Sequence, residues 1–269
     1  MSDRPVLETT LAHAEWNDHI LRRHRIFKDL LGHCDFWNLL SIAMNGPGID
    51  EAGLAVIHRI CVSVTAADPR LPPMKIVRLA SCYGGTMAAI GAGLVYQEDA
   101  SIGTWTAGRA AQFLMDIAAE IGDQEMTPSS VERSMRALIS KGAKLAGCGV
   151  PARKEDERAQ ALRHAMVEIG QVGGDFWMLM NIADGVFRKV ARSPINISGV
   201  VAALFLDLGF NPRQIAVLGM VISQAAFIAN ALEGAEQAPE VLRKIPDEWI
   251  AYQGPAPRPS PRAVPRPSG

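Results

Sequence analysis

Apolar residues recur at every third or fourth position through most of the chain, which is the spacing of one buried helix face. The clearest example runs from Leu54 to Val64, just after Asp50, a residue that suits a helix N-terminus. Strand-like alternation is scarce, so the pattern predicts an all-α fold. Further helices are predicted over Phe36–Met44, Lys75–Ser81, Thr86–Val95, Gly108–Ile121, Ser129–Leu145, Glu157–Ile169, Phe176–Val190, Gly199–Leu208 and Pro212–Leu232.

The last of these segments contains a run without charge from Ile215 to Leu232. That run is nearly long enough to span a bilayer, but Ser223, Gln224 and Asn230 lie within it. Such polar residues favour a buried helix of a globular protein, with a membrane span as the second interpretation.

The C-terminal segment 254–269, GPAPRPSPRAVPRPSG, alternates proline with small residues and arginine. It offers little to bury, so it predicts an extended, disordered tail. Its PxxP-like spacing leaves a partner-docking role open.

Composition limits the possible partners. The 269 residues are 48% hydrophobic and 20% charged, with a net charge of −1, which suits a large core and argues against broad binding to nucleic acid or anionic membrane. The N-terminus lacks the apolar stretch of a signal peptide, and the four cysteines are not spaced as metal ligands. We therefore expect a cytoplasmic protein without a metal site that binds small molecules or proteins.

Several segments, in a fixed order, resemble motifs of the citrate synthase and citryl-CoA lyase superfamily. They are Ile20–Arg23 with Lys28–Gly32, Arg78–Gly84 with Ala88–Leu94, Gly147–Pro151, Pro194–Gly199 and Phe227–Glu233. The last four are similar to the family's ARxxASTGAS…AAIAAGL stretch, its GFGH turn, its PxNxDG motif and its WIAHWLE segment. The first pair is similar to the family's entry segment with its DLIG motif.

The resemblance is strongest to short citryl-CoA lyase-like members. It implies a multi-helical homodimer with a large domain built from residues 1–106 and 206–253. Residues 107–205 would form a smaller inserted domain on the coenzyme A side, and coenzyme A or an acyl-CoA is the implied ligand.

The resemblance also locates the family's catalytic groups, two histidines that polarise carbonyls and an aspartate that removes an α-proton. The corresponding positions hold Thr106, Val150 and Ser198. Valine can neither donate nor accept a hydrogen bond, and a serine hydroxyl is not a competent base near neutral pH without an activating partner. Ordinary turnover is therefore not expected.

The positions that bind the dicarboxylate in the family are also substituted. They hold Pro69, Ser223 and Asn230, none of which is cationic. We therefore expect a dicarboxylate to be held poorly.

The coenzyme A side is partly retained. Gly147 and Gly149 allow backbone to approach a ligand, and Arg153, Lys154 and Arg158 place positive charge beside that turn. The acidic residues 155–157 partly cancel this charge, so a solvated loop remains the alternative to a phosphate site. Cys148, inside the turn, is interpreted as a packed apolar thiol ahead of a nucleophile.

Two functional hypotheses follow. The chain is either a divergent acyl-CoA lyase or acyltransferase that makes or breaks carbon–carbon bonds with a non-standard residue set, or a non-catalytic protein. In the second case it binds coenzyme A or pairs with an active homologue as a regulatory subunit.

Overall fold

The computed structural model describes residues 7–99, 103, 105–150, 153–237 and 246–258. Within these ranges the chain forms eleven α-helices, which confirms the predicted all-α fold. They are α1 Phe36–Met44, α2 Glu51–Val64, α3 Pro72–Ser81, α4 Thr86–Asp99, α5 Trp105–Ile121, α6 Pro128–Ser140, α7 Glu157–Glu168, α8 Asp175–Val190, α9 Ile197–Asp207, α10 Pro212–Ile222 and α11 Gln224–Glu236. Residues 254–258 of the predicted tail are described, and its remaining residues, 259–269, lie outside the described ranges.

A small antiparallel sheet, which the sequence pattern did not predict, precedes the helices. Its strands are β1 Ala12–Ala14, β2 His19–Leu21 and β3 His24–Arg25, in the order β1-β2-β3. Strands this short cannot show an alternating pattern. Between β2 and β3, Arg22 adopts φ +57° and its guanidinium Nη2 donates to the Ala43 carbonyl at 3.1 Å. The sheet is thereby fastened to the last turn of α1.

Short polar side chains cap the N-termini of several helices. Asp50 Oδ1 accepts from Gly53 N at 2.8 Å, as its place in the sequence predicts. Thr127 and Asn211 form capping boxes at α6 and α10, each followed by proline. The helix predicted to reach Leu145 ends at Ser140 instead, because Gly142 adopts φ +91° and stops it.

Two apolar clusters hold the helices together. The larger one joins α2 to α5–α10 and includes Phe113 against Phe187, with ring centroids 6.1 Å apart. Fully burying a side chain of this size contributes roughly 1.5–3 kcal/mol relative to exposure. The smaller cluster joins α3, α4 and α11 through Met74, Val77, Ala89, Ala226, Phe227 and Ala231.

The single helix predicted over Pro212–Leu232 is two helices, separated by Ser223. The first, α10, packs against α5, whereas α11 packs against α3 and α4. By length and composition alone the stretch Pro212–Glu236 could cross a membrane, yet 44% of its most apolar window is buried inside the protein. Half-burial against three other helices supports the buried interpretation.

Candidate ligand-binding site

The glycine-rich turn 147–150 lies directly against the segment that leads into α9. Gly149 N donates to the Pro194 carbonyl at 2.8 Å, and Asn196 N donates to the Gly147 carbonyl at 2.9 Å. Gly147 and Gly149 adopt φ +81° and φ +80°, a region that favours glycine. These positive φ values explain why glycine occupies both positions of the turn.

The approach between Gly147 and Gly199 leaves no room for a side chain. A Cβ on Gly199 would lie 2.6 Å from the Gly147 carbonyl oxygen, and one on Gly147 would lie 3.0 Å from Gly199 Cα. Two backbones can approach this closely only where both residues are glycine. This contact joins the turn to the first turn of α9.

Asn196 connects the same two segments through its side chain. Its Nδ2 donates to the Gly149 carbonyl at 2.9 Å, while its Oδ1 accepts from Ser198 N at 3.0 Å and Gly199 N at 3.2 Å. Asn196 therefore both caps α9 and fixes the turn beside it.

Two buried carboxylates hold the segment before α9 in place. Asp184 Oδ1 accepts from Ile195 N at 2.8 Å, and Asp156 Oδ2 accepts from Ile197 N at 2.9 Å. Burial alone would raise the pKa of both carboxyls, but their hydrogen bonds and neighbouring arginines outweigh it and lower the pKa below the ordinary value. The partner cations are Arg158 for Asp156 and Arg163 for Asp184, each at 3.0 Å.

Two of the three predicted catalytic positions meet. Thr106, in the first turn of α5, and Ser198, in the first turn of α9, have their hydroxyl oxygens 2.7 Å apart. We call them the hydroxyl pair. Both side chains are partly exposed. Ser198 lies next to Gly199, so the pair adjoins the glycine-rich turn.

The third predicted position, Val150, lines an open cavity of about 420 Å³ whose lining includes neither Thr106 nor Ser198. We call it the cation cavity. Its lining is Val150, Arg153, Lys154, Arg188, Arg192, Ser193 and Pro194. Sequence reasoning identified Arg153 and Lys154 but missed Arg188 and Arg192. The available signal was their closeness to the Pro194 motif at the end of a predicted helix.

The cations of this cavity differ in how fully they are paired. Arg153 pairs with Glu157, and Arg188 pairs with both Glu155 and Asp184. Lys154 and Arg192 form no ion pair with any residue that the structure describes. Arg158, also predicted to face a phosphate, instead makes a two-point contact with buried Asp156, at 3.1 Å and 3.0 Å.

The predicted dicarboxylate positions do not line the cation cavity, and the largest polar group among them, the Asn230 amide, is buried. Asn230 is 2% exposed, and its Nδ2 donates to the Ala67 carbonyl at 2.9 Å, while its Oδ1 accepts from Arg78 Nε at 3.3 Å. Arg78 in turn pairs with Glu233 at 2.7 Å. The side chain of Asn230 therefore joins α11 to α3 and to the loop before α3.

The other two of these positions have simpler surroundings. Pro69 is exposed in that loop, and the Ser223 hydroxyl donates to the Met220 carbonyl of its own helix at 2.8 Å. Neither presents a donor to an open cleft.

Cys148 is partly buried within the glycine-rich turn, and desolvation raises the pKa of its thiol to about 11. The thiol is therefore protonated near neutral pH, which favours the packing interpretation over a nucleophile. Across the described ranges, no three histidine, cysteine or acidic side chains come together as a metal site requires.

No protein-family model and no curated protein matches the sequence. Solved structures do match it. Citryl-CoA lyase from Hydrogenobacter thermophilus superposes with a TM-score of 0.77 at 17% identity, covering 96% of this chain and 98% of that one. The chain has the citryl-CoA lyase fold. The resemblance seen in the sequence motifs is confirmed at the level of architecture.

Two larger proteins contain the same citryl-CoA lyase fold. ATP citrate lyase from Methanothrix soehngenii, solved with citrate and coenzyme A, gives a TM-score of 0.72 at 18% identity over 95% of this chain and 43% of that one. Citrate synthase from Thermoplasma acidophilum, solved with carboxymethyl coenzyme A and oxaloacetate, gives 0.61 at 16% identity over 86% and 59%. These identities establish fold and leave the chemistry of this chain to its own residues.

Proposed function

We propose that this chain binds coenzyme A or an acyl-CoA, with anionic phosphate groups at the cation cavity. The observation that carries the proposal is the grouping of Arg153, Lys154, Arg188 and Arg192 around a cavity of about 420 Å³ beside a glycine-rich turn. Guanidinium and ammonium groups pair strongly with phosphate oxygens. Lys154 and Arg192 are the most available for this, because no described carboxylate pairs with either.

The proposed function is binding, without the enolisation that the family's histidines and aspartate carry out. Thr106 and Ser198 contact each other, and burial raises the pKa of the Cys148 thiol to about 11, so this thiol is neutral near pH 7. In the described part of the chain no carboxylate or imidazole hydrogen-bonds to either hydroxyl, so neither is activated as a base. A binding or regulatory role is therefore the better supported of the two hypotheses.

Isothermal titration calorimetry with coenzyme A, 3′-dephospho-coenzyme A and pantetheine tests this proposal. We expect affinity to fall in that order, because each ligand carries fewer phosphate oxygens than the one before. Lys154→Ala and Arg192→Gln should each weaken coenzyme A binding by roughly 3- to 10-fold, which corresponds to one partly exposed charge contact. Pantetheine binding should not change.

Lys75→Ala is the matched control, since Lys75 is an exposed lysine on α3 and does not line the cavity. It should leave all three affinities unchanged. Equal binding of coenzyme A and pantetheine, or equal weakening by Lys75→Ala and Lys154→Ala, would contradict a phosphate site here.

Formation or cleavage of a carbon–carbon bond is the second candidate function. It is supported by the partly exposed hydroxyl pair, which occupies two positions that carry catalytic groups in the family that the sequence resembles. Its direct readout is exchange of the α-protons of acetyl-CoA in heavy water, followed by NMR. Exchange that is lost in Ser198→Ala would establish enolisation and replace the binding-only proposal.

We also propose that the chain forms a homodimer through α4 and α11. These helices pack against each other and expose large apolar side chains, with Met87 80%, Val95 70% and Leu232 56% exposed. Large apolar side chains that are this exposed on two packed helices favour a protein contact. Light scattering coupled to gel filtration should give the mass of two chains, and Val95→Glu should give the mass of one.

A further inference from the structure

The hydroxyl pair has no proton left to donate. Thr106 Oγ1 lies 2.5 Å from the Gly103 carbonyl oxygen, and a carbonyl can only accept, so the single Thr106 hydroxyl proton points there. In the 2.7 Å contact between the two hydroxyls, Ser198 is then the donor and Thr106 the acceptor. Both protons are committed within the protein.

Three backbone donors beside the pair are also used. Thr106 N donates to the Gly103 carbonyl at 3.1 Å, and Ser198 N and Gly199 N both donate to Asn196 Oδ1. Among the described residues, a carbonyl oxygen or an enolate placed against the two hydroxyl oxygens would meet lone pairs and no hydroxyl proton. The arrangement is therefore opposite in polarity to a site that stabilises an oxyanion.

Lone pairs remain available on both oxygens. A hydroxyl oxygen has two acceptor positions, and no described residue donates to Ser198 Oγ. Thr106 Oγ1 keeps one acceptor position after receiving the Ser198 proton. Because both side chains are partly exposed, a ligand can reach these positions.

We propose that the hydroxyl pair is an acceptor site for a neutral O–H or N–H donor of the bound acyl-CoA. An ammonium group fits less well, because the turn beside the pair leads to the four cations of the cation cavity. The donor is either a hydroxyl on the acyl group or an amide N–H of the pantetheine arm. This inference rests on the proposed binding of coenzyme A. It adds a second contact, at the hydroxyl pair, in which the protein accepts a hydrogen bond and the ligand donates it.

The test compares coenzyme A, butyryl-CoA and 3-hydroxybutyryl-CoA by calorimetry on the full chain and on Ser198→Ala. One neutral hydrogen bond corresponds to a change in affinity of roughly 3- to 10-fold. If the acyl hydroxyl is the donor, the wild type prefers 3-hydroxybutyryl-CoA by that factor and Ser198→Ala removes the preference. If the pantetheine amide is the donor, Ser198→Ala weakens all three ligands equally.

Ser129→Ala is the matched control, since Ser129 is an exposed serine at the second position of α6, as Ser198 is at the second position of α9. Thr106→Ser keeps the hydroxyl and should keep the affinities. Should Ser198→Ala fail to fold, Ser198→Cys retains the volume but replaces the oxygen with a weak acceptor.

Unchanged affinities for all three ligands in Ser198→Ala and Ser198→Cys would overturn the acceptor site while leaving coenzyme A binding intact. Absence of binding of any of the three ligands to the wild type would overturn the proposed function and this inference together.

Discussion

The two polar regions of the molecule differ in what their side chains contact. Around the cation cavity, the fixed groups are the buried carboxylates Asp156 and Asp184, while Lys154 and Arg192 remain without ion pairs among the described residues. Around Asn230, the amide is satisfied inside the protein and bridges two helices and a loop. One region has cations available to a ligand, whereas the other has become a structural joint.

This difference shows that the role of a substituted site residue depends on what its side chain contacts. Asn230 replaces a family substrate-binding residue and is buried at 2% exposure, so its polar atoms stabilise the fold. Lys154 occupies a loop and its charge is exposed, so it adds little to stability. We therefore expect changes in the first region to affect ligand binding and changes in the second to affect unfolding.

The largest expected effect is on the joint between the glycine-rich turn and α9. Gly199→Ala places a Cβ 2.6 Å from the Gly147 carbonyl oxygen, a backbone atom that cannot move aside easily. We expect a loss of about 3 kcal/mol in the free energy of unfolding, measured by urea denaturation.

Gly185→Ala is the control for that change, because a Cβ at this exposed position of α8 meets nothing within 4 Å. It should stabilise the protein by up to ~1 kcal/mol, since alanine is the better helix former. Equal effects of the two substitutions would contradict the steric explanation.

A smaller effect is expected at the structural joint. Asn230→Ala leaves the Ala67 carbonyl and Arg78 Nε without their partner, which should cost about 2 kcal/mol of unfolding free energy. Coenzyme A affinity should stay the same. Among the described residues the Ser223 hydroxyl bonds to its own helix alone, so Ser223→Ala should change stability by less than ~0.5 kcal/mol. Weakened ligand binding in Asn230→Ala would mean that this region belongs to the binding site.

The buried carboxylates predict a dependence of stability on pH. The pKa values of Asp156 and Asp184 are lowered in the folded protein, so their contribution is present above the unfolded value of ~3.9 and is lost as pH falls through the folded value. Asp184→Asn should therefore be less stable than the wild type at pH 6, and the difference should shrink below pH ~4. Urea midpoints across this range measure it. A difference that is constant with pH would show that the charge of Asp184 does not stabilise the fold.

The smallest expected effect on stability belongs to the cation cavity. Lys154→Ala should shift the free energy of unfolding by no more than ~0.5 kcal/mol, because its charge is exposed and no described carboxylate pairs with it. The same substitution weakens coenzyme A binding in the proposed function. A large loss of stability in this variant would remove the contrast between the two regions.

The helical fold could be predicted from the sequence because apolar spacing and capping residues such as Asp50 agree locally with the final structure. The three short strands could not, since two or three residues carry no measurable alternation. The break between α10 and α11 at Ser223 could not be predicted either, because the apolar pattern continues through it. The break shows itself in the packing, since the two helices contact different neighbours.

The site was partly predictable for the same reason. The glycine-rich turn has a local backbone requirement that motif spacing reveals, and the positive φ values of Gly147 and Gly149 meet it. The contact of Thr106 with Ser198 joins residues 92 positions apart, and the pairing of Arg158 with Asp156 depends on burial. The first is a tertiary contact, and the second is local but depends on a burial of Asp156 that one sequence does not reveal.

Two carboxylates join α8 to α9 and to the segment that precedes α9. Asp184 accepts from Ile195 N near their connection, and Asp207, the last residue of α9, accepts from Phe176 N and Trp177 N in the first turn of α8. Arg188 on α8 and Ser198 on α9 therefore lie on two helices that are joined at two places. In the proposed function a ligand that contacts both helices must match their separation, so we expect the pair of helices to discriminate between ligands by length.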